Sequence, residues 1–327
     1  MKICVYGAGA IGGFLAARLA AAGAEVTIIA RGPHLEAIRS RGLTLRFEGR
    51  EEVLPIPATD DPAEAGPQDY VILTLKVPAL AGIAEAAQPL LGPKTALVTA
   101  QNGLPWWYFY RHGGALEGQS LKSLDPEGLL WRRLPPERCL GCVVYAAADV
   151  PAPGMIDCPY AGNFPLGEPD GSDSRRLRAL AEVMESAGVE APLRERIRDE
   201  IWLKLLGNLT YNPISVLTLG LMGPLSEDPG TRGVIRRMMA EAWAVAEALG
   251  VTFPVDIETR IDWASRLGDF KTSMLQDLER GRTMEIDALV TAVSEIGGLL
   301  GIATPTIDTV LGLVIHRARL AGSYPPA

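Results

Sequence analysis

Lys204, Asn208 and Asn212 recur every four residues in a segment that is otherwise mostly apolar. A four-residue step advances about 40° around a helix, so the three side chains would form one stripe on a helix surface. An ammonium group beside two carboxamides can hold an oxygen atom that gains negative charge and can donate a proton to it. Such groups are costly to bury unless they bind a partner. The spacing therefore predicts a ligand pocket.

A second interpretation of the same stripe involves no ligand. Lys204 would extend to solvent from the helix edge, and the helix would end at Asn212, because the residue before a proline usually leaves a helix. The spacing alone leaves both interpretations open.

A glycine-rich turn near the N-terminus predicts a dinucleotide site. A short strand over Lys2–Tyr6 precedes it, an Ala/Leu-rich helix follows it to about Gly23, and Glu25–Ala30 reads as a second strand. In this context the first glycine permits a tight turn, the second lets backbone approach a pyrophosphate, and the third lets helix and strand pack closely. The predicted cofactor contacts are Gly7, Ala8, Gly9, Ala10, Ile11 and Gly12.

Arg31 favours NADPH over NADH. NAD-binding turns place an acidic residue about 20 positions after the glycines to hold the ribose 2′-hydroxyl. The second strand here ends in Ala30-Arg31, and a guanidinium suits a 2′-phosphate. The alternative is a solvated surface arginine.

Two further polar residues follow predicted strands. Lys76 comes after Tyr70–Leu75, and Asn102 comes after Leu97–Ala100. Ligands of a doubly wound sheet bind outside the carboxyl ends of its strands, so this position favours cofactor or substrate contacts for both residues. A solvated lysine and an ordinary Asn-Gly turn are the structural alternatives.

Composition predicts a soluble, cytoplasmic enzyme with a small-molecule substrate. The chain has 327 residues, of which 48% are hydrophobic and 21% charged, with a formal net charge of −8. An acidic chain without a basic stripe does not fit nucleic-acid binding, and no apolar run reaches membrane-span length. The four cysteines fit buried reduced thiols rather than a disulfide framework or a metal site. The oligomeric state is not fixed, and a homodimer is one state that the sequence allows.

The pattern of elements predicts an α/β protein of two domains. Residues 1–170 would form a Rossmann-type domain with an aromatic insert at about 104–138, and residues 171–327 would form an all-helical substrate and catalytic domain. The turn-rich segment 167–173 marks the expected boundary. The aromatic cluster at 106–110 is expected to pack in a core, with an active-site lid as the alternative.

The chain resembles the ketopantoate reductase (2-dehydropantoate 2-reductase) family over almost its whole length. Five motifs in order carry the resemblance: GAGAIGG at 7–13, LKV around Lys76, QNG at 101–103, KLLGNLTYN at 204–212 and TSMLQDLERGRTMEID at 272–287. The family reduces ketopantoate to pantoate with NADPH, a step toward pantothenate.

The resemblance implies a role for each matching residue. Lys204 would be the proton donor and Glu285 its partner near substrate and nicotinamide. The residues implied in substrate binding are Asn102, Asn208, Asn212, Ser273 and, in a secondary role, Asp277. Lys76 and Asn102 would also lie at the cofactor. Desolvation by apolar neighbours would lower the pKa of Lys204 toward neutrality.

Some residues with an implied role also have a structural interpretation. Ser273 also opens an S-x-x-Q capping box, and Asp277 and Glu285 could be solvated helix charges. The three histidines, His34, His112 and His316, lie outside the matched motifs and are expected to be solvated.

Departures from the family pattern concern the substrate. Ala79 stands where many members have glutamine, and Met222 where some have a substrate-binding asparagine. Loss of a carboxamide would favour a less hydroxylated 2-keto acid or ketone. A β-hydroxyacid dehydrogenase is the enzymatic alternative, and a non-catalytic NADP-binding protein is the alternative of another class.

Overall fold

The computed structural model describes residues 1–325. Its contacts divide the chain into two units, each built from several segments. The first unit contains Met1–Gln101, Pro105–Ser120 and Glu127–Ile197, and the second contains Asn102–Leu104, Leu121–Pro126 and the chain from Arg198 onward. Among residues 1–325, no helix has both the length and the apolar character to cross a membrane.

The first unit contains the β-structure of the described chain. Its strands are β1 (Lys2–Tyr6), β2 (Glu25–Ile29), β3 (Leu43–Phe47), β4 (Arg50–Leu54), β5 (Ala58–Thr59), β6 (Gln68–Leu73), β7 (Leu91–Thr99), β8 (Cys139–Cys142), β9 (Ala147–Ala152), β10 (Met155–Tyr160) and β11 (Leu166–Gly167). Strands β1 and β6 contain continuous buried apolar runs at Ile3–Tyr6 and Tyr70–Leu73, and β7 is buried from Thr95 to Thr99, as expected of parallel strands covered on both faces.

Within residues 1–325, seven strands form the main sheet in the order β11-β8-β7-β6-β1-β2-β5. All pairs are parallel except β8 with β11. The chain leaves β1 toward one edge through β2 and then returns to build the other edge from β6, so the topological switch point lies between β1 and β6. This is the predicted Rossmann-type arrangement.

A second sheet has the order β4-β3-β10-β9. Strands β3 and β4 form an antiparallel hairpin. The chain leaves the main sheet after Cys142 and enters the second sheet at Ala147.

Helices of the first unit flank these sheets. They are α1 (Ala10–Ala21), α2 (Gly32–Arg41), α3 (Pro62–Ala65), α4 (Leu129–Arg133) and α5 (Arg175–Ser186), with 3-10 turns at Val77–Ala79, Ala81–Ile83, Gln88–Leu90 and Pro136–Arg138. Helix α5 contacts α1 and β11, so the first unit continues to Ile197, beyond the turn-rich segment at 167–173 expected to end it.

The second unit is helical, as predicted. Its elements are α6 (Ile197–Thr218, all but its first residue in this unit), α7 (Met222–Glu227), α8 (Pro229–Ala248), α9 (Ile257–Ser265), α10 (Ser273–Glu279), a π-helical segment (Asp287–Thr291), α11 (Ala292–Leu300) and α12 (Pro305–Leu320). Helix α6 continues through Pro213, so the expected end at Asn212 is wrong. The proline removes only the N–H that would bond the Leu209 carbonyl, and burial of the flanking residues maintains the helix.

The aromatic insert at 104–138 is divided between the units. Trp106, Trp107, Tyr108 and Phe109 are at most 3% exposed, which confirms the packing interpretation. The indole of Trp106 donates to the Leu134 carbonyl, and that of Trp107 donates to the Thr99 hydroxyl. Residues 121–126, by contrast, are counted with the helical unit.

Candidate active site

Helix α6 carries the predicted polar stripe of the second unit. Lys204 and Asn208 are half-buried, and Asn212 is only 3% exposed. Trp202, Leu205, Leu206 and Leu209, which surround them in sequence, are buried almost completely. The stripe therefore lies at the margin of an apolar core, where a polar side chain needs a partner.

Asn102 links the ammonium of Lys204 to the carboxylate of Glu285. Lys204 Nζ donates to Asn102 Oδ1 at 2.7 Å, and Asn102 Nδ2 donates to Glu285 Oε2 at 3.4 Å. An ammonium can only donate and a carboxylate can only accept, so the two partners fix the orientation of the carboxamide. The expected association of Lys204 with Glu285 thus includes Asn102 as a bridge.

The turn Asn102–Leu104 is held against the π-helical segment of the same unit. Leu104 N donates to the Ala288 carbonyl at 3.0 Å. Gly103 has φ +83°, and a Cβ at this position would lie 2.4 Å from the Ala288 oxygen. Only glycine meets both conditions, which explains the Asn-Gly pair as a close backbone approach.

Glu285 lies two residues before the π-helical segment. It is 8% exposed, and its carbonyl accepts from Leu289 N at 3.3 Å. A π-helical turn widens the backbone locally and is frequent at functional sites. The solvated alternative for Glu285 is excluded by its burial.

The end of the stripe at Asn212 lies beside the start of α10. Ser215 Oγ donates to the Asn212 carbonyl at 2.8 Å and is 2.6 Å from Thr272 Oγ1. Thr272 caps the helix, since its Oγ1 accepts from Leu275 N at 3.2 Å. Ser273 is therefore not the cap that the S-x-x-Q pattern predicted. Its side chain is exposed at the first helical position, because the extended backbone lies one residue earlier.

Asn212 contains a donor without a partner in the structure. Its Nδ2 is buried and forms no hydrogen bond with any described residue. A buried amide nitrogen without a partner is costly, which points to a ligand acceptor. Asp277, in α10, is 9% exposed and is not the solvated charge that was one alternative.

The first unit places the predicted cofactor residues at strand ends. Gly7 has φ +104°, and a Cβ on Gly12 would lie 2.0 Å from the Gly7 oxygen, so both glycines have their expected conformational roles. A Cβ on Gly9 would meet nothing within 4 Å, which leaves its surface open to a ligand. Lys76, half-buried after β6, and the turn after β1 flank the topological switch point.

Arg31 is exposed between β2 and α2, and its side chain forms no hydrogen bond or ion pair within residues 1–325. Its guanidinium is therefore available to an anionic group. The geometry of this strand end fits the adenosine side of a dinucleotide.

The three histidines differ in exposure. His316 is exposed, as expected, but His34 and His112 are half-buried. Burial lowers the pKa of His34, and its Nδ1 accepts from Gly154 N at 2.9 Å. His112 packs against the rings of Tyr108 and Phe109.

The cysteines are free and buried. Burial raises the pKa of Cys4 to about 12 and that of Cys158 to about 11, so both are thiols at neutral pH. Within residues 1–325, no group of His, Cys, Asp and Glu side chains is arranged to hold a metal ion.

Known proteins share this sequence and fold over nearly their whole length. The family model for ketopantoate reductase PanE/ApbA matches residues 3–171, and the model for its C-terminal region matches residues 196–318. The 2-dehydropantoate 2-reductase of Mesorhizobium japonicum is 52% identical over 99% of this chain and 100% of its own length.

Solved structures of ketopantoate reductases have the same fold as this chain. A structure from Ralstonia solanacearum MolK2 that carries a ketopantoate reductase assignment has a TM-score of 0.94 and 43% identity, covering 98% of this chain and 99% of that chain. The 2-dehydropantoate 2-reductase of Geobacter metallireducens GS-15 has a TM-score of 0.84 and 28% identity, covering 96% and 99%. With the two matching family models, these likenesses show that the chain belongs to the ketopantoate reductase family.

Proposed function

We propose that the protein reduces 2-dehydropantoate to pantoate with NADPH, as a step of pantothenate synthesis. The observation that carries the proposal is the chain of contacts from Lys204 through Asn102 to Glu285. The half-buried ammonium is a proton donor, and the carboxamide holds it in one orientation. The family relationship supplies the substrate class.

The residues of the second unit divide the work on the substrate. When bound, the nicotinamide supplies the hydride. Lys204 stabilises the negative charge that develops on the former carbonyl oxygen and donates a proton to it. Glu285 carries the opposite charge and keeps the ammonium protonated before turnover. Asn208, Asn212 and Ser273 offer polar groups to the substrate carboxylate and hydroxyl.

The glycine turn and Arg31 support NADPH as the cofactor. The open surface at Gly9 and the close packing at Gly12 fit a pyrophosphate at the N-terminus of α1. Arg31, exposed beside this turn, binds the 2′-phosphate, and Lys76 lies across the switch point from it. Asn102 and Glu285 remain predicted contacts of the nicotinamide.

Two departures from the family pattern, at Ala79 and Met222, bear on the substrate. Met222 is 8% exposed at the first position of α7, and Ala79 lies in a 3-10 turn. Neither can donate the side-chain hydrogen bond of a carboxamide. A related 2-keto acid or ketone is therefore the second candidate, and a homodimer stays a prediction.

Turnover with purified protein tests the function. NADPH oxidation is followed with 2-dehydropantoate, with 2-keto acids that lack its hydroxyl, and with a 3-hydroxyacid plus NADP⁺. We expect the highest kcat/KM with 2-dehydropantoate. Higher kcat/KM for a keto acid without the hydroxyl would move the assignment to the second candidate. Oxidation of the hydroxyacid alone would indicate a β-hydroxyacid dehydrogenase, and no turnover at all would favour a binding protein.

Substitution of Arg31, with Arg41 as the control, tests the preference for NADPH over NADH. Arg31→Ala should raise KM for NADPH about tenfold or more, because a charge-assisted hydrogen bond to the 2′-phosphate is lost, and should leave KM for NADH unchanged. Arg41→Ala, an exposed arginine in the last turn of α2, is the matched control. An equal rise in both KM values would contradict a role for Arg31 in phosphate binding.

A further inference from the structure

Residues 321–325, which follow α12, form a cap at the end of that helix. Gly322, with φ +66°, donates its N–H to the Arg319 carbonyl at 3.0 Å, and Ser323 N donates to the Ala318 carbonyl at 2.9 Å. This pair of bonds is the Schellman motif, which ends a helix in a fixed direction. The helix end therefore fixes the direction of Ser323 and Tyr324, the two residues that follow the glycine.

These two residues hold the segment that contains Glu285 from both sides. The Ser323 carbonyl accepts from Met284 N at 3.0 Å, one residue before Glu285. The Tyr324 hydroxyl donates to Asp287 Oδ1 at 2.7 Å, two residues after Glu285. Glu285 thus lies between two anchor points provided by one short segment of the same unit.

Tyr324 is fixed as a donor. Burial, and then the hydrogen bond to Asp287, raise its pKa, so the phenol stays protonated at physiological pH. The Arg319 guanidinium lies 5.7 Å from the centre of its ring and donates through Nε to the Pro325 carbonyl at 3.2 Å. Asp287 Oδ1 also accepts from Thr291 Oγ1 at 2.9 Å, which joins the anchor to the π-helical segment.

The hydrogen bond between Asn102 and Glu285 is long, so it depends closely on the position of Glu285. Asn102 Nδ2 and Glu285 Oε2 are 3.4 Å apart, near the upper limit for a hydrogen bond. A displacement of Glu285 away from Asn102 by a few tenths of an ångström would take the two atoms beyond hydrogen-bond distance. Any group that restrains residues 284–287 therefore acts on the orientation of Asn102 and, through it, on Lys204.

We propose that Tyr324 is a positioning residue for the reduction: through Asp287 it holds Glu285 at the distance that orients Asn102 against Lys204. The inference rests on the proposed function for its kinetic consequence. We call the contacts of Ser323 with Met284 and of Tyr324 with Asp287 the clamp, and these contacts exist whatever reaction the protein catalyses.

Tyr324→Phe tests the proposal because it keeps the ring and its contact with Arg319 and removes only the hydroxyl. We expect kcat to fall about tenfold, the effect of losing one hydrogen bond to a charged group, with KM for NADPH changed less than about twofold. The melting temperature should fall by less than about 4 °C. Tyr160→Phe, an exposed tyrosine of β10, is the matched control and should leave kcat unchanged.

The same substitution in an Asn102→Ala background separates positioning from general support. If Tyr324 acts through the Glu285–Asn102 contact, Tyr324→Phe should lower kcat little further once that contact is gone. An equal fold-loss in both backgrounds, or an unchanged kcat in the single variant, would overturn the proposal.

Amide hydrogen exchange gives a readout that needs no turnover. Protection of residues 284–289 should decrease in Tyr324→Phe and stay unchanged in Tyr160→Phe. Unchanged protection in Tyr324→Phe would show that the clamp does not restrain Glu285. If the native protein turns over none of the keto acids, the proposed function fails, and this measurement still decides whether the clamp exists.

Discussion

At the scale of single residues, Asn102 determines how the charges of the site are arranged. Its carboxamide presents oxygen to the ammonium of Lys204 and nitrogen to the carboxylate of Glu285. An isosteric aspartate would lose the donor, and a leucine would lose both contacts. The residue is therefore chemically specific in a way that a simple turn asparagine is not.

Lys204 should be required for turnover. Lys204→Ala removes the proposed proton donor, whose charge would stabilise the developing oxyanion, so we expect kcat to fall about 100-fold or more. Steady-state kinetics with NADPH and 2-dehydropantoate measure this, with Lys94→Ala, an exposed lysine of β7, as the control. Retention of a tenth of native kcat would mean that another group donates the proton.

Much of the residue-level site could be predicted from the sequence, since the four-residue spacing on α6 and the strand-end positions of Lys76 and Asn102 are local patterns. The contacts among Lys204, Asn102 and Glu285 could not, because they join residues far apart in the chain. The helix cap was predicted one residue late, at Ser273 rather than Thr272, because both residues are good caps and only the backbone conformation distinguishes them.

At the scale of elements, the turn Asn102–Leu104 and the π-helical segment form one structure. The backbone of the turn approaches Ala288 so closely that a side chain at position 103 has no room. The close approach fixes Asn102 against the segment that follows Glu285. The glycine is thus part of the site although it has no side chain.

A pair of glycines tests this arrangement. Gly113→Ala should destabilise the protein by about 1–2 kcal/mol because of its positive φ, and Gly103→Ala should destabilise it by more, because its Cβ also collides with the Ala288 backbone. Only Gly103→Ala should also lower kcat strongly, since its Cβ would displace the Ala288 backbone, whereas a Cβ at Gly113 meets nothing within 4 Å. Thermal unfolding and kcat are measured for both variants. Equal kcat in the two would argue against the close approach.

Elements with clear apolar runs or strong helix composition were predicted, including β1, α1, β2 and β6. Helices α2, α7 and α9 were not, because they are short or carry few apolar residues. The continuation of α6 through Pro213 depends on packing of its whole length, which a rule about one dipeptide does not contain.

At the scale of the whole molecule, the chain contributes to its helical unit from three places. Residues 102–104 and 121–126 are counted with that unit, although the chain between them belongs to the first. Local composition could not reveal this, because the assignment depends on long-range contacts. Examples are the bonds from Lys122 N and Ser123 N to the Glu295 carboxylate, at 2.7 and 2.9 Å.

Asp170 stabilises the fold at neutral pH and loses this effect at low pH. Ser172, and then Arg111, hold the pKa of Asp170 at about 2, below its ordinary value of 3.8. Since the folded-state pKa is lowered, this stabilisation is complete above about pH 4 and is lost as the pH falls toward 2. Asp170→Asn should lower the urea midpoint at pH 7 and match the native protein near pH 2.

Urea unfolding at both pH values checks this prediction. Asp269→Asn, an exposed aspartate, is the control and should change neither midpoint. If Asp170→Asn and the native protein differ as much near pH 2 as at pH 7, the ionised carboxylate is not the source of the stabilisation.

The Asn102–Gly103 pair also bears on how the protein ages. Asparagine followed by glycine is a chemically labile dipeptide, because the missing side chain leaves the next amide free to attack the carboxamide. Deamidation of Asn102 to isoaspartate or aspartate would replace the donor facing Glu285 with a second negative charge. Stored protein would then lose activity with a mass gain of about 1 Da. The glycine that places Asn102 in the site also sets a chemical lifetime on it.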